Sequence, residues 1–84
     1  MTAFHVEIRV MPRGAVLDPQ GQAVEHALRA LGFGGVSKVR VGKHMVLDVE
    51  APTRDEAVAK ARAMCDRLLA NPVTEDFAVT VRTS

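Results

Sequence analysis

The sequence predicts an α+β fold in which a four-stranded antiparallel sheet carries two helices on one face. Apolar residues alternate with polar ones in four stretches and recur every three or four residues in two others, in the order β-α-β-β-α-β. Right-handed crossovers, with a hairpin between the second and third strands, favour the strand order 4-1-3-2. Eighty-four residues suffice for one such domain, so we predict a single ferredoxin-like sandwich over residues 1–84.

The first strand and the first helix have the clearest signals. Residues 4–10 alternate apolar and polar side chains, as a half-buried strand does. Asp18 and Pro19 are typical of a helix start, because the carboxylate accepts from free backbone N–H groups and proline has no N–H to leave unpaired. Gly32 is placed to end this helix in the left-handed conformation. The apolar stripe of the helix consists of Val24, Ala27, Leu28 and Leu31.

A hairpin is predicted in the middle of the chain. Residues 36–41 and residues 45–50 both alternate, and they would form the second and third strands. Gly42 and Lys43 lie between them and would form a tight turn, although this dipeptide is less specific than Asn-Gly.

The second helix and the last strand complete the pattern. Thr53 and Glu56 have the spacing of a capping box, which predicts a helix start. Asn71 and Pro72 end that helix, and residues 77–82 alternate as the last strand. The apolar stripe of the second helix consists of Ala57, Ala61, Met64, Cys65 and Leu68.

Composition excludes several classes of function. The net charge of +1 gives no argument for binding to nucleic acid or to an anionic membrane, and no apolar run approaches the length of a membrane span. A single cysteine fits a reducing compartment, so we expect a cytoplasmic protein. Three phenylalanines, with no tryptophan or tyrosine, make a lean core, which favours oligomerisation.

No arrangement of side chains indicates catalysis or metal binding. Cys65 lies on the apolar stripe of the second helix and is interpreted as a core residue. The glycines before Lys43 do not form a phosphate loop, because the spacing is too long and no Ser or Thr follows the lysine. The three histidines lie on different elements and do not form a metal triad: His5, His26 and His44.

Two surfaces of the predicted fold carry polar groups. One is the end of the sheet where residues 11–18, 42–44 and 70–75 meet, together with the N-terminus of the first helix, which suits an anion or an acidic partner. Lys43 there is either a hairpin-turn lysine or a contact to a phosphate or an acidic partner. The other is the outer sheet face, which is either solvated or a subunit interface with crossed ion pairs. Its charged residues are Glu7, Arg9, Lys38, Arg40, Asp48, Glu50 and Arg82.

Several motifs, in order and at characteristic spacing, carry a resemblance to a known family. They are V-L-D-P-Q-G at residues 16–21, V-R-V-G-K at 39–43, Met64-Cys65, and L-L-A-N-P-V at 68–73 followed by E-D-F at 75–77. Over essentially its whole length the chain resembles PurS, the small-subunit family of phosphoribosylformylglycinamidine (FGAM) synthase.

The resemblance implies a non-catalytic subunit in purine biosynthesis. The family's enzyme is a ligase that uses ATP and glutamine to convert formylglycinamide ribonucleotide into formylglycinamidine ribonucleotide. It implies a homodimer or homotetramer that assembles with a large synthetase subunit and a glutaminase subunit. ATP and Mg²⁺ would be used by the complex, and no cofactor would be bound by this subunit.

The family motifs fall at the predicted end of the sheet, so we expect that end to contact the other subunits. The expected partner-binding residues are Arg13, Asp18, Gln20, Arg40, Gly42, Lys43, His44, Asn71 and Glu75.

Two other classes share the predicted element order. An ACT-like domain binds amino acids at a dimer interface through the loop after the first strand, where this chain has Pro12-Arg13-Gly14. A small stand-alone enzyme of ferredoxin-like fold would need a His-Glu or His-Asp arrangement at short range, which the sequence lacks.

Overall fold

The computed structural model describes residues 1–83 and contains three strands and two helices. A single π-helical turn, Cys65–Leu69, continues the second helix. In chain order the elements are β1 (Thr2–Pro12), α1 (Pro19–Ala30), β2 (Lys43–Ala51), α2 (Arg54–Met64) and β3 (Glu75–Thr83).

The sheet has the order β2-β1-β3, and both pairings are antiparallel. Val6 of the central strand lies opposite Leu47 on one side and Val81 on the other. The alternation in β1 therefore continues across the sheet, so one face is apolar and the other polar. The first strand pairs with the strands predicted as third and fourth, but the predicted four-stranded order 4-1-3-2 is not confirmed.

The core lies between the apolar sheet face and α2. Ile8 of β1 is fully buried, as are Ala57, Ala61 and Cys65 on the helix side. Alanine side chains let the helix axis approach the sheet closely, and this packing compensates for the scarcity of large aromatic residues. Burial raises the pKa of the Cys65 thiol, which fits its interpretation as a core residue.

The predicted second strand is wrong: residues 36–41 form no strand, and the described chain has a three-stranded sheet. The favoured two-residue hairpin turns have a positive φ, and neither Gly42 nor Lys43 has one. Lys38 has a φ of 56°, which interrupts the extended backbone that a strand requires. The chain therefore runs from residue 41 into β2 without turning back along it.

The prediction that both helices cover one sheet face is also wrong, because α1 stands away from the sheet. Its ends are as predicted: Asp18 caps the start and Gly32, with a φ of 102°, follows the end. Its apolar stripe is uncovered, however, and Leu31 is 74% exposed. Gly21 is the one buried residue of the helix.

The molecule is consequently elongated. Its principal extents are 51 × 27 × 14 Å, and its radius of gyration is 16.3 Å. A compact chain of this length would have a radius of gyration of about 12 Å. We refer to residues 19–41 as the arm, to residues 36–41 within it as the return segment, and to the three strands with α2 as the body.

The packing of α2 predicts different effects for two alanines on the same helix. Ala61→Leu should lower the free energy of unfolding by about 1–3 kcal/mol, because the larger side chain overpacks the contact with the sheet. Ala59 is exposed, so Ala59→Leu should change the free energy of unfolding by no more than about 0.5 kcal/mol. Urea denaturation of the two variants measures this difference, and equal effects would contradict the assignment of the buried face.

Candidate partner-binding site

The loops that follow β1 and α2 are joined through Arg13. Its backbone N–H donates to the Thr74 carbonyl at 2.9 Å, and its guanidinium donates to the Pro72 carbonyl at 2.7 Å. The same guanidinium lies 3.3 Å from the Asp76 carboxylate. We refer to residues 11–18, 42–44 and 70–75 as the loop end. The predicted convergence of these three segments is present in the structure.

Asp18 connects the start of α1 to the return segment. One carboxylate oxygen accepts from the Gly21 N–H at 2.9 Å, and the other accepts from the Val41 N–H at 2.8 Å. The Asp18 side chain is only 9% exposed. Gly21 is needed beside it, because a Cβ at that position would overlap the Val39 carbonyl oxygen. Asp18 therefore does more than cap a helix.

Arg40 also holds the loop end together. Its guanidinium donates to the Arg13 carbonyl at 2.6 Å and to the Val16 carbonyl at 2.9 Å, and its Nε lies 4.0 Å from the Asp18 carboxylate. Gly42 lies against β1, and a Cβ atom at residue 42 would overlap the Val10 carbonyl oxygen. Contacts within the chain therefore account for the arginine at residue 40 and the glycine at residue 42.

Lys43, Asn71 and Glu75 form a looser group at the same end. The Lys43 ammonium lies 3.9 Å from Glu75, and the Lys43 side chain is 58% exposed. Glu75 accepts from the Asn71 N–H at 2.7 Å, and the Asn71 side chain accepts from the Val73 N–H at 3.0 Å. Asn71 and Glu75 thus shape the loop, while Lys43 remains accessible.

Gln20 and His44 complete the set predicted from the sequence. Gln20 is exposed in the first turn of α1. His44 lies on the outer sheet face instead, with its Nε2 atom 3.1 Å from Glu7. The structure therefore brings the predicted residues together except for His44, whose side chain belongs to a different surface.

The outer sheet face carries a charge cluster around Glu7. Glu7 pairs with Arg82 and with His44, while His5 lies 3.6 Å from Asp48. Lys38 and Arg40 were expected on this face as well, and that expectation is wrong because the return segment does not join the sheet.

Some residues of this region were not among the partner-binding residues expected from the sequence. Glu25 accepts from the Val39 N–H at 3.3 Å, which ties the middle of α1 to the return segment. Leu17 and Val73 are exposed apolar residues in the loops of the loop end. One feature of the sequence indicated this packing. Glycine is unfavourable inside a helix, so Gly21 indicated that another backbone segment approaches the helix closely.

Neither a metal site nor a membrane span is found in the part of the chain that the structure describes. No cluster of three or more His, Cys, Asp or Glu side chains there could hold a metal ion. Neither helix of residues 1–83 has the length and hydrophobicity that crossing a bilayer requires.

The hydrogen bonds to Asp18 make its contribution to stability depend on pH. The Val41 N–H, and then the Gly21 N–H, hold the pKa of the Asp18 carboxyl below its ordinary value of 3.8. A carboxyl with a lowered folded-state pKa stabilises the fold fully above its ordinary pKa. This stabilisation is lost as the pH falls through the lower, folded-state value.

Asp18→Asn should therefore lower the melting temperature most at neutral pH. The asparagine amide cannot supply two anionic acceptors, whereas at strongly acidic pH the wild-type carboxyl is itself neutral and the two proteins should converge. Differential scanning calorimetry from pH 7 down to below pH 3.8 measures the difference in melting temperature between the variant and the wild type. Asp66→Asn, at an exposed carboxylate of the π-helical turn, is the matched control. A difference in melting temperature that does not change with pH would contradict the role of the ionised carboxylate.

Most of the chain is similar to proteins of one family. The sequence profile described as "PurS: Phosphoribosylformylglycinamidine (FGAM) synthase" matches residues 5–83. The chain is 47% identical over 75 residues to the phosphoribosylformylglycinamidine synthase subunit PurS of Synechocystis, covering 89% of this chain and 75% of that one. It is 45% identical over 74 residues to the subunit of the same name from Bacillus subtilis, covering 88% and 87%.

Solved structures agree with this assignment over nearly the full length. The structure of B. subtilis PurS is similar with a TM-score of 0.83 at 43% identity, covering 94% of this chain and 98% of that one. A chain of the structure named PurLQS from Thermotoga maritima is similar with a TM-score of 0.88 at 37% identity, covering 96% and 99%. Such coverage includes most of the arm as well as the body. The chain belongs to the PurS family of phosphoribosylformylglycinamidine synthase subunits.

Proposed function

We propose that this chain is the assembly subunit of its phosphoribosylformylglycinamidine synthase, bridging the large synthetase subunit and the glutaminase subunit. The observation that carries the proposal is its similarity, over nearly the full length, to a chain of the PurLQS structure. The enzyme is a ligase of purine biosynthesis that joins nitrogen from glutamine to formylglycinamide ribonucleotide at the expense of ATP. In this proposal the chemistry belongs to the other two subunits.

The proposed contact surface is the loop end. Arg13, Asp18 and Arg40 are committed to contacts within the chain, so they position the loops and do not bind the partner directly. Exposed Lys43 and the exposed apolar side chains Leu17 and Val73 are the groups left to contact another subunit. A mixed apolar and charged surface of this kind is common at non-obligate protein interfaces.

The remaining parts of the proposal concern ligands, self-association and location. ATP and Mg²⁺ are used by the complex, and this subunit binds no cofactor of its own. The chain associates with itself as a homodimer or homotetramer, which its elongated shape and uncovered apolar helix support. It resides in the cytoplasm, where a lone thiol such as Cys65 stays reduced.

Charge reversal at Lys43 tests the loop end. Lys43→Glu should weaken assembly with the synthetase and glutaminase subunits by a few-fold, because an exposed ion pair contributes about 0–1 kcal/mol and reversal turns attraction into repulsion. Size-exclusion chromatography of the three subunits from one organism, with glutamine and Mg-ADP present, measures the co-eluting fraction. Arg40 is unsuitable for this test, because its contacts to Arg13 and Val16 support the fold.

Lys60→Glu is the matched control for that experiment. Lys60 is an exposed lysine of α2 whose ammonium donates to the Glu50 carbonyl, near the opposite end of the sheet. It should leave assembly unchanged. Equal co-elution of the Lys43 and Lys60 variants would overturn the assignment of the loop end.

A further inference from the structure

The outer sheet face is uncovered in the part of the chain that the structure describes. α2 packs on the opposite, apolar face of the sheet, and α1 stands away from the sheet. In the middle of the outer face, Val46 of β2 lies opposite Glu7 of β1 and is 59% exposed. A single exposed valine is ordinary on a protein surface. The charges and the shape of the surface around it therefore decide what this face can bind.

The charges on the outer sheet face are unequally shared. The Glu7 carboxylate pairs with Arg82 and lies 3.1 Å from the Nε2 atom of His44. His5 also approaches this carboxylate, at 3.8 Å. Arg9 is exposed, and its guanidinium has no hydrogen bond or ion pair within residues 1–83. One carboxylate therefore serves three basic side chains, while a fourth has no anionic partner.

The register of the sheet keeps other carboxylates from pairing with Arg9. Its cross-strand neighbours are His44 on β2 and Ala78 on β3, and neither is acidic. Asp76 lies in the next row of the same face, but its carboxylate is held 3.3 Å from Arg13. The nearest acid along β3 is thus already paired.

Asp48 is too distant to neutralise Arg9. It lies opposite His5, which is four residues from Arg9 along β1, a separation of about 13 Å. This separation exceeds the Debye length of about 8 Å at physiological ionic strength, so the Asp48 charge is screened from Arg9. Arg9 and Arg82 together therefore leave an excess of positive charge around Glu7, even with the histidines neutral.

A depression lies beside Arg9 in the same face. Its volume is about 250 Å³, and it forms where the short side chains of Ala78 and Thr80 leave space next to Glu7 and Arg9. His44 also lines it. Small-molecule sites have volumes of about 300–1,000 Å³, so this depression suits one side chain of a bound protein better than a separate ligand.

We propose that the outer sheet face is a second docking surface for another subunit of the synthase, which places an acidic side chain on Arg9 and covers Val46 with an apolar one. Arginine suits this role, because its planar guanidinium binds a carboxylate through two parallel hydrogen bonds. An apolar centre with charged groups around it is the usual anatomy of a protein interface. This inference rests on the proposed function and specifies the chemistry of the partner's surface.

Charge reversal at Arg9 tests the proposal through the affinity of assembly. The chain carries a fluorophore at its N-terminus and is titrated with equimolar synthetase and glutaminase subunits from one organism, with glutamine and Mg-ADP present. Fluorescence anisotropy then gives an apparent dissociation constant. Arg9→Glu should raise this constant at least about tenfold, because repulsion between two carboxylates replaces an ion pair. Arg9→Lys keeps the charge and should raise it only a few-fold.

Salt separates the charged contact from the apolar one. Raising the ionic strength from about 0.05 M to about 0.5 M should weaken binding of the wild type, and should weaken binding of Arg9→Glu less, because screening acts on the charge that this variant lacks. Val46→Ser removes apolar area and no charge. It should raise the dissociation constant about five-fold at every salt concentration.

Lys60→Glu is the matched control, because Lys60 lies on α2 at the other side of the sheet. It should bind as the wild type does. Equal dissociation constants for the Arg9→Glu and Lys60→Glu variants would overturn the second docking surface and leave the proposed function standing. Wild-type chain that binds neither subunit would overturn both.

Light scattering of each variant alone distinguishes another subunit from a second copy of this chain. Arg9→Glu should keep the wild-type mass and circular dichroism, because Arg9 makes no side-chain contact within residues 1–83. A mass below that of the wild type would show that a second copy covers this face, and would overturn the inference. Arg9→Ala replaces Arg9→Glu if the latter does not fold.

Discussion

The Asp18 carboxylate is the contact on which the arrangement of the arm and the loop end depends. It bonds the start of α1 with one oxygen and the return segment with the other, while Arg40 beside it reaches the loop after β1. The loop after β1 and the adjoining start of α1 therefore meet the return segment, 23 residues further along the chain, around one nearly buried anion. Backbone N–H donors satisfy such a charge without a second buried ion, which avoids much of the cost of a buried salt bridge.

The chain divides into two parts with different sources of stability. The body is held by β1 and the small residues of α2, which pack closely against the apolar sheet face. The arm is held by side-chain to backbone hydrogen bonds and leaves its apolar stripe in water. A helix of this length gains most of its stability from burying an apolar face.

The molecule has two polar surfaces, the loop end and the outer sheet face. The charged residues of the loop end are used mainly to fix the loops, so the accessible groups there are few: Lys43 and apolar side chains such as Leu17. The outer sheet face has its own network around Glu7. The chain belongs to the PurS family, and Asp18, Gly21 and Arg40 fix its loop geometry through contacts within the chain.

Local signals determined much of this protein. The sequence predicted the caps at Asp18 and Thr53 and the alternation of β1, because each depends on neighbours within a few residues. It also predicted the apolar stripe of the second helix, except that Leu68 is 82% exposed. The sequence also predicted that residues 11–18, 42–44 and 70–75 meet at one end of the sheet, which follows from antiparallel order. Tertiary structure alone decided where α1 and residues 36–41 go. Their periodicity shows that each segment has an apolar face to cover, but not which element covers it. Glu25 and Asp18 accept from the Val39 and Val41 N–H groups, which a hairpin could have used.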